Sequence, residues 1–228
     1  MKKINIKGPI ISNDDAWVYE YFGIEATSPN LVSKAIDEAQ GDELEVEINS
    51  GGGSVFSGSE IYTALKSYTG NVTVKIVGLA ASAASVIAMA GKKVLMSPTA
   101  QLMIHNVSTY TGGDYRDMEH AAEVLKNANE TIANAYRLKT GKSQEELLGL
   151  MDKESWFTAD KAKEIGFIDE VMFETNQLVA SKYSGMLPPE VIQTIKNQKL
   201  NSQITDKIDV GFLNSKLKLL KMKGAVNE

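Results

Sequence analysis

Ser82 lies within the run 77–91, V-G-L-A-A-S-A-A-S-V-I-A-M-A-G, after an alternating apolar segment (Val72, Val74, Ile76) and before an Ala-rich, helix-favouring one. A serine at a strand-to-helix turn has free backbone N–H groups and the positive end of a helix dipole beside its hydroxyl. Negative charge develops there as a hydroxyl attacks a carbonyl, so the turn suits a nucleophile. The competing reading is that small residues only let a helix pack closely. Acyl transfer also needs an imidazole to take the hydroxyl proton, and the chain holds two histidines, His105 and His120. His105 follows the strand-like Gln101 to Ile104, whereas His120 falls in a long polar helical pattern over 114–139, where a surface histidine is expected. A third group must orient the imidazole. The carboxylates after Gly141 are Glu145, Glu146, Asp152, Glu154, Asp160 and Asp169. Asp152 and Glu154 share the segment M-D-K-E-S-W-F before a helix start at Thr158, and spacing does not choose between them.

The elements that would position these residues follow from periodicity. Ile4-Asn5-Ile6 alternates as a strand closed by Gly8-Pro9, and Trp17 to Phe22 (W-V-Y-E-Y-F) reads as a second strand. Ser28-Pro29-Asn30 opens a helix over 31–39, with Leu31, Ala35 and Ala39 along one face and Gly41 ending it. Leu44 to Ile48 alternates apolar and acidic residues, a strand with one wet face. Gly51-Gly52-Gly53 then separates that strand from a helical pattern through Ile61 and Leu65 to Tyr68. Three glycines at such a junction permit positive φ and let backbone N–H groups point at a ligand. A phosphate loop lacks its Lys-Ser/Thr here, and a plain turn or an oxyanion hole remains. Gly78 reads as the end of the strand before Ser82. Lys93 to Met96 and Gln101 to Ile104 form two short strands around Ser97-Pro98.

Composition limits the classes of function. The chain has 228 residues, 23% charged and 43% hydrophobic, enough for one sizeable core. A net charge of −5 gives no reason to expect nucleic acid as a general partner. The absence of cysteine excludes disulfides and thiolate metal sites, and no metal or cofactor is expected. The basic start M-K-K-I-N-I-K lacks the apolar stretch of a signal peptide, and no apolar run reaches the roughly 18 residues of a membrane span, so a cytoplasmic protein is expected. Residues 182–228 carry eight lysines against four carboxylates, a charge of +4 that leaves −9 for the rest. Met186-Leu187-Pro188-Pro189 resembles a linker, and Val210, Leu213, Leu217 and Leu220 form an apolar helical stripe flanked by lysines.

Several motifs in order resemble the ClpP-type serine peptidases, and more closely the bacteriophage ClpP-like prohead (head maturation) proteases. They are I-N-S-G-G-G-S-V-F-S-G at 48–58, G-L-A-A-S-A-A-S at 78–85, L-M-I-H-N at 102–106, M-D-K-E-S-W-F-T-A at 151–159 and G-F-I-D at 166–169. The resemblance covers roughly residues 4–175. It implies an α/β fold, a ClpP/crotonase-like superhelix of β-β-α units in which the 114–139 helix is a handle between rings. It implies Ser82 as nucleophile, His105 as base, and oxyanion donors at the backbone N–H of Gly53 and Ala83. Gap-free counting back from Trp156-Phe157-Thr158-Ala159 puts Glu154 at the acid position, where the family usually has Asp, with Asp152 as rival. Gly51 replaces the family's usual proline.

The expected division is a peptidase domain over 1–180 and a basic, partly helical extension over 181–228. The expected function is a serine endopeptidase trimming capsid or scaffolding protein during phage head maturation. Its expected partners are a polypeptide substrate and its own copies, in a heptameric ring or double ring. A ClpP-type subunit working with an ATPase is the alternative, although no sequence feature points to the ATPase. A crotonase-type acyl-CoA enzyme or a non-catalytic ring subunit fits less well with Ser82 and His105 both present.

Overall fold

β-Branched residues at every second position build the sheet. In the computed structural model, which describes residues 1–174, β1 (Lys2–Lys7), β2 (Leu44–Ser50) and the first half of β3 (Val72–Ala81) run parallel, followed by β4 (Lys93–Met96) and β7 (Glu170–Val171) in the order β1-β2-β3-β4-β7. Ile4, Ile6, Val46, Ile48, Val74, Ile76, Val94 and Met96 point to one face and are buried. Each such side chain contributes roughly 1.5–3 kcal/mol of transfer free energy. The other face carries the alternating polar residues, with Lys3 paired to Glu47 at 2.7 Å and Lys75 to Glu45 at 2.6 Å. The wet face expected for residues 44–48 is thus a row of cross-strand ion pairs, each contributing at most about 1 kcal/mol.

Parallel strands need crossovers, and helices supply them. α2 (Pro29–Ala39) joins β1 to β2, α3 (Val55–Ser67) joins β2 to β3, and α4 (Ala83–Ala88) joins β3 to β4. After β5 (Gln101–Ile104) comes the long α5 (Tyr115–Thr140), then α6 (Gln144–Asp152), β6 (Ser155–Phe157) and α7 (Ala159–Ile165). Asp114 caps α5 by accepting from the N–H of Arg116, and Asp117 returns a carboxylate to the Asp114 N–H, a reciprocal cap. Gly141 ends the helix in the left-handed conformation, φ 73°. The 114–139 pattern is therefore helical as expected.

Three local expectations fail. Trp17–Phe22 is not a strand: Ala16–Tyr21 is the short helix α1. Its aromatic alternation matches strand propensity, but among the described residues no strand pairs with it, and Trp17, Tyr21 and Phe22 are exposed. Propensity yields where pairing is missing. In α2 the buried face is Val32 and Ala39 with Ala35 and Ile36 beside them, while Leu31 is exposed, one position off the stripe. Nor does the strand end at Gly78. β3 continues to Ala81 by exchanging its neighbour, pairing with β4 over Thr73–Ile76 and with β5 over Leu79–Ala81. Between Ile48 and Ser50 the β2–β3 register shifts, and Asn49 fills the irregularity by accepting from the Leu79 N–H at 3.1 Å. A Cβ on Gly78 would sit 2.5 Å from that carboxamide, so the glycine serves a close approach within a strand.

Residues Met1–Glu174 form one compact unit. The expected linker at 186–189, the apolar stripe at 210–220 and the whole extension 181–228 lie outside the described residues. Among the described residues no helix is long and apolar enough to cross a membrane.

Candidate active site

Ser82 sits where β3 stops. Its N–H donates to the Met103 carbonyl at 3.0 Å, the last rung between β3 and β5, and its own carbonyl accepts from the N–H groups of Ser85 and Val86 to start α4. Between these two commitments the backbone turns through φ 54°, ψ −126°. A non-glycine residue there costs about 1–3 kcal/mol and persists only where its surroundings over-determine it. The turn presents the hydroxyl to His105, the residue after β5, with Oγ 2.8 Å from Nε2. The rung between β3 and β5 thus sets the distance between two residues 23 positions apart.

The glycine loop lies against this turn. Gly52 accepts from the Ile10 N–H at 2.9 Å, and the Ser54 N–H donates to the Ile10 carbonyl at 2.8 Å, so Ile10 holds both flanks of Gly53. Gly53 has φ 149°, and a Cβ there would lie 2.1 Å from the Ile10 oxygen. Gly52, at φ 94°, comes so close to the serine turn that a Cβ would meet Ala81 O and Ser82 Cβ at 2.7 Å. By contrast, Gly51, where the family usually has proline, has nothing within 4 Å of such a Cβ. Pinning by Ile10 orders the loop one residue later. Among the described residues the N–H groups of Gly53 and Ala83 have no hydrogen-bond partner. Both residues line one cleft of about 440 Å³ with Ser82 and His105. Its apolar wall includes Phe56, Val86, Met103, Ile132 and Tyr136.

The acidic candidates behave differently. β6 runs antiparallel to β5 with Ser155 opposite Ile104, which brings Glu154 next in line with His105. Yet Glu154 takes φ 48°, and its carboxylate meets the Trp156 indole N–H at a long 3.4 Å. Asp152, the last residue of α6, accepts from the Asn106 carboxamide at 2.8 Å. Among the described residues neither carboxylate hydrogen-bonds to His105. Ser82, His105, Gly53 and Ala83 therefore come together, while Glu154 and Asp152 are near but turned elsewhere. Glu145, Glu146, Asp160 and Asp169 are not at the cleft, and Asp169 instead pairs with Lys139 and accepts from the Val94 N–H. His120 is exposed on α5.

Sequence reasoning missed Ser85 and Tyr136. Ser85 is fully buried, donates to the Ser82 carbonyl at 2.7 Å and lies 2.8 Å from the Tyr136 hydroxyl. Burial pushes the Tyr136 phenol above the ordinary tyrosine range, opposed by the Ser85 hydrogen bond. A faint signal existed: Ile132, Ala133 and Tyr136 recur at helical spacing in an otherwise polar helix.

The Clp protease family profile matches residues 30–175. The ATP-dependent Clp protease proteolytic subunit 1 of Chlamydia abortus is 35% identical over 143 residues, 60% of this chain and 74% of that protein. Subunit 2 of Nocardia farcinica is 35% identical over 137 residues, 59% of this chain and 68% of its own length. The ATP-dependent Clp protease proteolytic subunit of Bacteroides fragilis is 33% identical over 136 residues, 59% and 66% of the two chains. Since the profile runs from α2 past β7 and takes in the glycine loop, the serine turn, His105 and the β6 segment, the chain belongs to the Clp protease family.

Proposed function

We propose that this protein is a serine endopeptidase in which Ser82 is the nucleophile and His105 the general base. The carrying observation is the 2.8 Å contact between Ser82 Oγ and His105 Nε2 beside two backbone N–H groups that have no hydrogen-bond partner among the described residues. With the imidazole proton on Nδ1, Nε2 accepts the hydroxyl proton as Oγ attacks the scissile carbonyl. The oxyanion of the tetrahedral intermediate takes hydrogen bonds from the N–H of Gly53 and Ala83, donors already in place before charge develops. His105 then gives its proton to the leaving amine. Water enters, His105 takes a proton from it, and the acyl–Ser82 ester is hydrolysed to free acid. A crotonase-type acyl-CoA enzyme would share the paired N–H groups but has no need of the serine–histidine contact.

Glu154 is the proposed acid, because the β5–β6 register sets it opposite His105, whereas Asp152 is engaged with Asn106. Its carboxylate has to swing from Trp156 onto His105 Nδ1. Copies of the chain are proposed to form a ring that encloses the serines, with α5 contacting a second ring. The relatives reported above are named as ATP-dependent Clp proteolytic subunits, which favours a ring fed by an ATPase. None of those names speaks of capsid processing, the role suggested by the motif likeness to prohead proteases. The apolar wall of the cleft suits an extended segment with an apolar side chain near the cleaved bond.

The test uses the full chain, a fluorogenic peptide series and a fluorophosphonate probe mapped by mass spectrometry. Label on Ser82 and hydrolysis lost in Ser82→Ala are expected. Label on another serine, or hydrolysis undiminished in the variant, would overturn the reading. Degradation of a folded protein only with a Clp-type ATPase and ATP supports the ATPase setting, and cleavage of a capsid precursor without it supports the other.

A further inference from the structure

We propose that Tyr136 and Ser85 form a buried hydroxyl relay from α5 to the serine turn, and that Tyr136 is a positioning residue for the oxyanion donor of Ala83. The inference rests on the reading of Ser82 as nucleophile.

The direction of the relay follows from counting protons. The Ser82 carbonyl can only accept, so the Ser85 hydroxyl spends its one proton there, at 2.7 Å. Ser85 Oγ then has only lone pairs to offer Tyr136, and the 2.8 Å contact must be Tyr136 O–H donating to Ser85. Tyr136 is 1% exposed and Ser85 0%, so both hydroxyls are shielded from bulk water. A neutral phenol is required of the donor, and burial keeps it so.

The consequence lies in the peptide plane. The C=O of Ser82 and the N–H of Ala83 belong to one planar, trans unit, so they point in opposite directions. A relay that draws the Ser82 oxygen inward, toward α5, turns the Ala83 N–H outward to the cleft. The N–H groups of Ser85 and Val86 hold the same oxygen from the helix side, at 2.9 and 3.3 Å. They are part of α4 and would move with it, whereas Tyr136 is anchored elsewhere. Its ring meets Phe167 edge-on with centroids 5.7 Å apart, and its carbonyl accepts from Thr140 Oγ1 at 2.8 Å. The strained φ of 54° at Ser82 is thus held against an element distant in sequence, 51 residues from Ser85.

Tyr136→Phe removes one oxygen and keeps the ring against Phe167. Removing an oxyanion donor typically costs 10²–10³ in kcat; misaiming one costs less, and about three- to tenfold is expected here, with KM unchanged. The second-order rate of fluorophosphonate labelling should fall by the same factor. Ser85→Ala should cost about tenfold and lower the melting temperature, because it strands the buried Tyr136 hydroxyl. The double variant should recover that temperature and be no slower than Ser85→Ala alone, the mark of groups acting in series. An unchanged kcat in Tyr136→Phe with label still on Ser82, or losses that multiply in the double variant, would overturn the relay and leave the nucleophile standing. Full hydrolysis by Ser82→Ala would remove both.

Discussion

At Ser82 the backbone N–H and carbonyl are both tied to neighbours, whereas in the segment from Asp152 to Trp156 the backbone is held but the two carboxylates each have a single side-chain contact at the surface. The serine turn is bounded by the Met103 rung, the Ser85 and Val86 amides, the Ser85 hydroxyl and the glycine loop against Gly52. In the second segment the backbone is fixed by the β5–β6 pairing, by Ser155 Oγ donating to the Leu150 carbonyl and by the Glu154 N–H donating to the Met151 carbonyl. The carboxylates have only the Asn106–Asp152 bond and the long Trp156–Glu154 contact, and Trp156 is itself half exposed. The difference separates what one subunit can preorganise from what it leaves adjustable. Nucleophile, base and oxyanion donors need fixed aim, because misplacement by an ångström costs orders of magnitude. An acid that orients the far side of the imidazole can arrive later, as at any site completed by a conformational step. Exposed Tyr115, Met118 and Val124 on the first half of α5 leave a surface that assembly would cover.

The largest break in this contrast is on the fixed side. Ser82→Ala should lower kcat by on the order of 10⁴- to 10⁶-fold in a peptide assay while circular dichroism and sedimentation stay unchanged, since one small hydroxyl leaves little void. Gly53→Ala comes next. Its Cβ cannot coexist with the Ile10 oxygen, so the loop must shift and withdraw its donor, with an expected loss of about 10²- to 10³-fold. Activity near wild type in that variant would take the oxyanion role from Gly53.

Smaller effects belong to the adjustable side. Glu154→Ala should cost about ten- to a hundredfold in kcat and Asp152→Ala only a fewfold, because one carboxylate can accept the His105 Nδ1–H that sets the tautomer. The reverse order in matched assays would move the acid to Asp152, released from Asn106. Smallest of all should be the handle. Glu123→Lys with Glu130→Lys, both exposed on α5, should split a double ring into single rings and slow hydrolysis severalfold. Analytical ultracentrifugation read beside the same assay decides this, and a fully active monomer would separate assembly from the site.

Much of the preorganised side could be read in the chain. The period-two segments before Gly51 and before Ser82, the three glycines and His105 at a strand end are local signals, and the structure has strands, loop and histidine where those signals put them. Partner-dependent features were not legible. W-V-Y-E-Y-F has the composition of a strand but forms a helix with no strand paired to it among the described residues, and the exchange of β4 for β5 along β3 hides behind a glycine that resembles a terminus.

By itself, then, the sequence determined the order of elements and the chemical types gathered near the cleft, because periodicity and glycine conformations are properties of neighbouring residues. Tertiary structure decided three things. It aligned Glu154 with His105 through a strand register, engaged Asp152 with Asn106 across 46 residues, and brought the Tyr136 hydroxyl to Ser85 from a helix that otherwise reads as polar. Each of these depends on where two distant segments meet. That is set by how the whole core packs, and no window of neighbouring residues contains it.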